Sequence, residues 1–109
     1  MNVRISESTL RFRLSNDDLT SLATQTVIQQ VIHVGPSTTI CFRLESNANA
    51  QELMIHHECD RLCAIAPLQK LKAFLASDEI QWSHTFSDFA LTLIIEKDLH
   101  NSRRQKSVG

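Results

Sequence analysis

The residues with the most obvious chemistry fall in one run, His56-His57-Glu58-Cys59-Asp60-Arg61-Leu62-Cys63. One imidazole with Cys59 and Cys63 could begin a zinc shell, with Cys41 or His33 joining from across a sheet. Knuckle-type zinc sites add a second close pair of ligands, and that second pair is missing. A cysteine nucleophile needs a base beside it and partial exposure. Along a strand successive side chains alternate between faces, so at most one of His56 and His57 can share the face of Cys59. No oxyanion donor or orienting group can be named for it. The run reads more simply as a hairpin whose thiols behave as small hydrophobes. His56, Cys59 and Cys63 remain as weak metal candidates; no catalytic residue is assigned and no cofactor is expected.

A second constellation is cationic. Arg4, Arg11, Arg13 and Arg43 fall on the polar faces of alternating strands. If the first two strands form a hairpin, Arg4 meets Arg11 or Arg13, and guanidinium groups so gathered can hold a phosphate or carboxylate bidentately. Like charges facing each other on a sheet cost stability unless something answers them. The competing reading is a solvated face neutralised by Glu7, Glu45 or Glu96.

Other chemistries are excluded more firmly. Gly35 and Gly109 are the only glycines, so a glycine-rich phosphate loop cannot form. Trp82 and Phe89 lie on alternating apolar faces and are expected in the core rather than on a base-stacking platform. The acidic pairs Asp17-Asp18 and Asp78-Glu79 are explained by helix ends. A net charge of −1 argues against a life on bulk phosphate backbone. Three cysteines, an odd number, argue against a secreted disulfide framework. The opening residues lack an apolar signal region, and no apolar run reaches the roughly 18–20 residues that cross a bilayer. The expectation is a reduced, cytoplasmic protein without a membrane partner.

The elements that must position these residues repeat. Val3-Ile5 and Leu10-Phe12-Leu14 alternate as two short strands. Ser15 with Asp18 forms a capping-box-like start for a helix from Asn16 to about Ala23, which should bury Leu19, Leu22 and Ala23. Asp17 and Asp18 also favour the positive end of the helix dipole. Thr26–Val34 and Thr38–Glu45 follow as strands around the Gly35-Pro36-Ser37 turn. Polar punctuation over Ser46–Ala50 separates this from a second copy. There, strands over Leu53–Glu58 and Leu62–Ile65 lead to a helix that Pro67 opens, with Leu68, Leu71, Phe74 and Leu75 on one stripe. Ile80-Trp82-His84 and Phe89–Ile95 complete it. Apolar Ile94 and Ala90 on the second face of the last strand suit a central position.

The fold class is therefore α+β: a mainly antiparallel sheet, open or closed into a barrel, built from two pseudo-repeated ββαββ units with two short helices. One domain spans residues 1–109, with units at 3–45 and 52–98 and a flexible basic tail over 99–109.

Met1-Asn2-Val3-Arg4-Ile5, Ser8-Thr9-Leu10-Arg11-Phe12-Arg13-Leu14-Ser15, Gly35-Pro36-Ser37-Thr38-Thr39-Ile40 and Leu91-Thr92-Leu93-Ile94-Ile95-Glu96-Lys97-Asp98 resemble a family of short uncharacterised bacterial proteins of about this length. Members often continue past the Glu-Lys-Asp motif with a cysteine-containing acidic tail, where this chain has Leu99-His100-Asn101 and a basic end. The resemblance implies a shared fold and supplies no activity, ligand or catalytic residue.

The function expected from the residues is a non-catalytic binding or assembly module that self-associates, as a homodimer or with another protein. Its motive is the surplus of apolar positions on both faces of one strand, Val27, Ile28, Val31 and Ile32. A phosphate- or nucleic-acid-contacting module using the strand arginines is the alternative, with nucleic acid not favoured. A Cys/His zinc or thiol site is the second alternative.

Overall fold

The computed structural model describes residues 1–98; the basic tail lies outside the described residues. Ten elements follow in order: β1 (Asn2–Ile5), β2 (Thr9–Leu14), α1 (Asn16–Thr24), β3 (Val27–His33), β4 (Thr39–Asn47), β5 (Met54–Glu58), β6 (Arg61–Pro67), α2 (Leu68–Ala76), β7 (Gln81–Phe86) and β8 (Leu91–Lys97). The ββαββ pattern thus occurs twice.

The strands form two open four-stranded sheets rather than a closed barrel. One has the order β1-β2-β8-β7, the other β3-β4-β6-β5. Replacing β1, β2, β8 and β7 by β5, β6, β4 and β3 turns the first order into the second, so the pairing pattern is two-fold symmetric. Each sheet takes one hairpin from each unit. Hairpins β1–β2, β3–β4, β5–β6 and β7–β8 are antiparallel, while the two units meet through the parallel pairs β2–β8 and β4–β6. Phe12 aligns with Ile95 in one sheet and Ala64 with Leu44 in the other, which makes Phe12 and Ala64 equivalent positions.

Alternation along the central strands builds the core. Leu10, Phe12 and Leu14 of β2, Phe42 and Leu44 of β4, Ala64 and Ala66 of β6, and Leu93 and Ile95 of β8 join one buried cluster with Leu22, Leu71 and Phe74 of the helices. Ile94, on the other face of β8, is also buried, in keeping with a strand paired on both sides. Ala64 and Ala66 of β6 are both fully buried in that cluster.

Local chemistry sets the helix ends. Ser15 accepts the Asp18 N–H while its own N–H donates to the Asp18 carboxylate at 2.9 Å, a capping box built with the shorter acid. The Met1 amino group stands 2.7 Å from the same carboxylate. Burial pushes the Asp18 carboxyl up, but hydrogen bonds from the Met1 amino group and from Ser15 outweigh it, and its pKa is lowered. Pro67 occupies the N-cap of α2, one place earlier than the first helical turn. At the other end Ser77 Oγ donates to the Phe74 carbonyl at 2.8 Å, and Lys97 Nζ donates to the Ser77 carbonyl at 2.8 Å while sitting 4.7 Å from the Phe74 ring centroid.

Two burial expectations are corrected. Ala23 is exposed, because α1 turns only a narrow stripe, with Leu22 at its centre, to the core. Phe89 lies in the β7–β8 turn, 49% exposed, rather than on β8. It stacks on Phe86 with ring centroids 5.0 Å apart, which gives it an aromatic neighbour outside the main core.

Candidate functional site

Strand β3 is an edge, and its hydrogen-bond parity can be read directly. Val34 N–H donates to Thr38 O and Ser46 N–H donates to Thr26 O, both at 2.9 Å, bracketing the β3–β4 ladder. In an antiparallel pair the bonded residues alternate, so Ile28, Gln30 and Ile32 turn their main-chain groups toward β4. Val27, Gln29, Val31 and His33 therefore send both N–H and C=O outward, where no other strand among the described residues pairs with β3. Such an edge is a template for another strand.

Side chains sharpen this. β3 is the longest edge strand and holds no Asp, Glu, Lys or Arg. Val31 is 47% exposed, and Val34 just beyond the strand is exposed as well. Ile28 and Ile32, on the other face, pack against the core. The equivalent edge of the other sheet, β7, places Gln81, Ser83 and Thr85 where β3 has Val27, Gln29 and Val31. Gln30, at the centre of β3, has a buried Oε1 with no hydrogen-bond partner. That is an unanswered polar atom of the kind a folded protein ordinarily satisfies.

The arginines divide between the sheets. Arg4 is directly opposite Arg11 across β1–β2, with Arg13 further along β2. Glu96 of β8 accepts from Arg13 Nε at 2.9 Å and lies 3.5 Å from Arg11. Arg4 is exposed, and no carboxylate among the described residues comes within salt-bridge range of it. Thr9, Thr92 and Thr85 align in the next row, with Thr85 and Thr92 hydroxyls 3.0 Å apart. Arg43 lies on the other sheet, 3.8 Å from Glu45, with its Nε buried and without a hydrogen-bond partner.

The His/Cys run forms the β5–β6 hairpin. Cys59 is in its turn, exposed, with φ at 52°, a left-handed conformation uncommon for a residue with a Cβ. Cys63 is buried on β6 opposite His56. Its thiol donates to Glu45 Oε1 at 3.3 Å. Burial, then the hydrogen bond and negative charge of Glu45, push the Cys63 pKa up to about 12, so the group is a neutral donor at ordinary pH. Cys41 is half-buried on β4 and donates to Gln29 Oε1 at 3.6 Å. His56 Nε2 stands 3.7 Å from Glu58 on the exposed strand. Among the described residues no group of three His, Cys, Asp or Glu side chains is placed to hold a metal ion. Nor is any described helix long and apolar enough to cross a membrane.

Sequence reasoning named Val27 and Val31 for their surplus of apolar character. It did not find Gln30, whose partnerless oxygen has no signature in residue type or spacing.

A family model described as a family of unknown function (DUF7009) matches residues 1–107 of this chain, and the protein belongs to that family. No curated protein and no solved structure matches it.

Proposed function

We propose that this protein is a non-catalytic assembly module that self-associates by pairing β3 with β3 of a second copy. The observation that carries the reading is the outward-facing backbone of Val27, Gln29, Val31 and His33 on a long edge strand without ionic side chains. An antiparallel two-fold about Gln30 matches Val27 with the partner's His33 and Gln29 with the partner's Val31. All four outward residues then fall on hydrogen-bonded pairs, and two sheets become one continuous sheet. The two Gln30 amides meet on the axis, where each can donate to the other's partnerless oxygen. A single strand edge is small beside the roughly 1,200 Å² that stable interfaces bury, so the dimer is expected to be concentration-dependent.

Sedimentation equilibrium across a wide concentration range tests this. The wild-type chain should move from monomer to dimer, and Val31→Lys should hold it monomeric without altering its far-ultraviolet spectrum. Thr85→Lys, at the equivalent place on β7, should leave the association unchanged. A wild-type monomer at every concentration rejects the reading.

A second reading is favoured by Arg4, which faces Arg11 while Glu96 is occupied by Arg11 and Arg13. Three guanidinium groups against one carboxylate make an anion-contacting face of the β1-β2-β8-β7 sheet. Titration with inorganic phosphate should move the amide resonances of Arg4, Thr9 and Arg11 saturably in the wild type and not in Arg4→Ser. Shifts that sodium chloride reproduces at equal ionic strength would dismiss a site.

A further inference from the structure

An open groove of about 510 Å³ lies between residues 51–55, which lead into β5, and residues 84–89, the end of β7 and its turn. Leu53 is buried in it, while Met54 and Phe89 line it half-exposed. Phe86 is held between His84, edge-on at 4.8 Å, and Phe89, stacked at 5.0 Å. Each wall carries one carboxylate, Glu52 on the first and Asp88 on the second, and the lining contains no Lys or Arg. Both acids are exposed, and no cationic group among the described residues comes within salt-bridge range of either.

We infer that this groove binds a linear aliphatic polyamine. Two negative charges on different walls, with apolar side chains lining the space they share, match a ligand whose cationic ends are joined by methylenes. Each ammonium can donate to one carboxylate, a charge-assisted pairing that a monoamine could make only once. The half-exposed ring of Phe89 attracts an alkylammonium through its face. Met54 suits the methylene spine, because an unbranched thioether adapts to irregular apolar shapes. A divalent metal ion would gain nothing from the rings and demands more oxygen ligands than two carboxylates supply. No group of three His, Cys, Asp or Glu side chains among the described residues is placed to hold one. The groove and β3 lie on different strand edges, so this binding does not rest on self-association.

The test titrates the full-length protein with spermidine and follows its amide spectrum, with propylamine and magnesium chloride at matched ionic strength as references. Spermidine should shift Leu53, Met54, Phe86 and Phe89 saturably, with half-saturation on the order of 1 mM, as suits a small ligand in an open groove. Propylamine should bind several-fold more weakly, and magnesium should give no saturable shift at these four residues. Glu52→Gln and Asp88→Asn alter exposed groups, and each should weaken spermidine binding about two- to fivefold. Phe89→Leu, which keeps apolar bulk but removes the ring, should weaken it by a similar factor. Absence of a saturable shift in the wild type overturns the inference. Wild-type affinity in Glu52→Gln/Asp88→Asn also overturns it, as do spermidine shifts that magnesium reproduces.

Discussion

Cys63 offers a quantitative test of how the hairpin should be understood. Its thiol is buried against Glu45, which raises its pKa from 9.0 to about 12. At pH 8 an ordinary protein thiol of pKa 9 is about one-tenth thiolate, and one of pKa 12 about one ten-thousandth, a roughly 900-fold deficit. Higher intrinsic nucleophilicity returns about 15–30-fold of that, given a Brønsted coefficient of about 0.4–0.5. The net expectation is a roughly 30–60-fold slower reaction with a disulfide reagent than the same thiol shows in the unfolded chain, before shielding by burial slows it further. The experiment uses Cys41→Ser/Cys59→Ser, which leaves one thiol, followed by stopped flow in buffer and in denaturant. Adding Glu45→Gln removes the negative charge beside the thiol while leaving an amide oxygen that can accept, and should speed the folded-state reaction several-fold. A folded Cys63 reacting as fast as the unfolded one would refute the reasoning and revive a thiol centre. Because folding raises this pKa, its contribution to stability is full below about pH 9 and is lost as pH climbs toward 12.

Asp18→Asn should destabilise the fold by about 1–2 kcal/mol, since the carboxylate closes the capping box and faces the Met1 amino group; urea denaturation at neutral pH reads this directly. As its folded pKa lies below the ordinary 3.8, this stabilisation holds above that pH and fades as pH falls through the lowered value, so the variant should lack that part of the acid transition. Phe12→Ala, at a fully buried site, should cost about 3–5 kcal/mol by the same assay, whereas Ala23→Lys on the exposed flank of α1 should fall within about 0.5 kcal/mol of wild type.

Much of this architecture is legible in the sequence because its causes are local. The alternation of Leu10, Phe12 and Leu14, and the Ser15/Asp18 cap, depend on neighbours within a few residues. Ile94, apolar on the second face of β8, marks the central strand correctly, whereas Ala90, read with it, lies exposed in the β7–β8 turn. What escaped depends on pairing at a distance. Nothing in Leu10–Leu14 announces that its partner is the parallel strand Leu91–Lys97 rather than a strand of its own unit, so the exchange of hairpins between sheets stayed hidden. Phe89 was misplaced for a related reason: a stretch that alternates up to its neighbour does not mark where the strand begins. The arginines followed the same division. Opposition of Arg4 and Arg11 follows from one hairpin, whereas Glu96 joins them only through the parallel pairing.

The claim on which the functional account rests is that β3 is built to be completed by another β3. Amide hydrogen exchange resolved to single residues tests it most directly, in dilute and in concentrated protein. The account predicts that Val27, Gln29, Val31 and His33 exchange freely when dilute and become protected when concentrated, with Ile28, Gln30 and Ile32 protected in both. Fast exchange at the four outward amides in concentrated protein would contradict it.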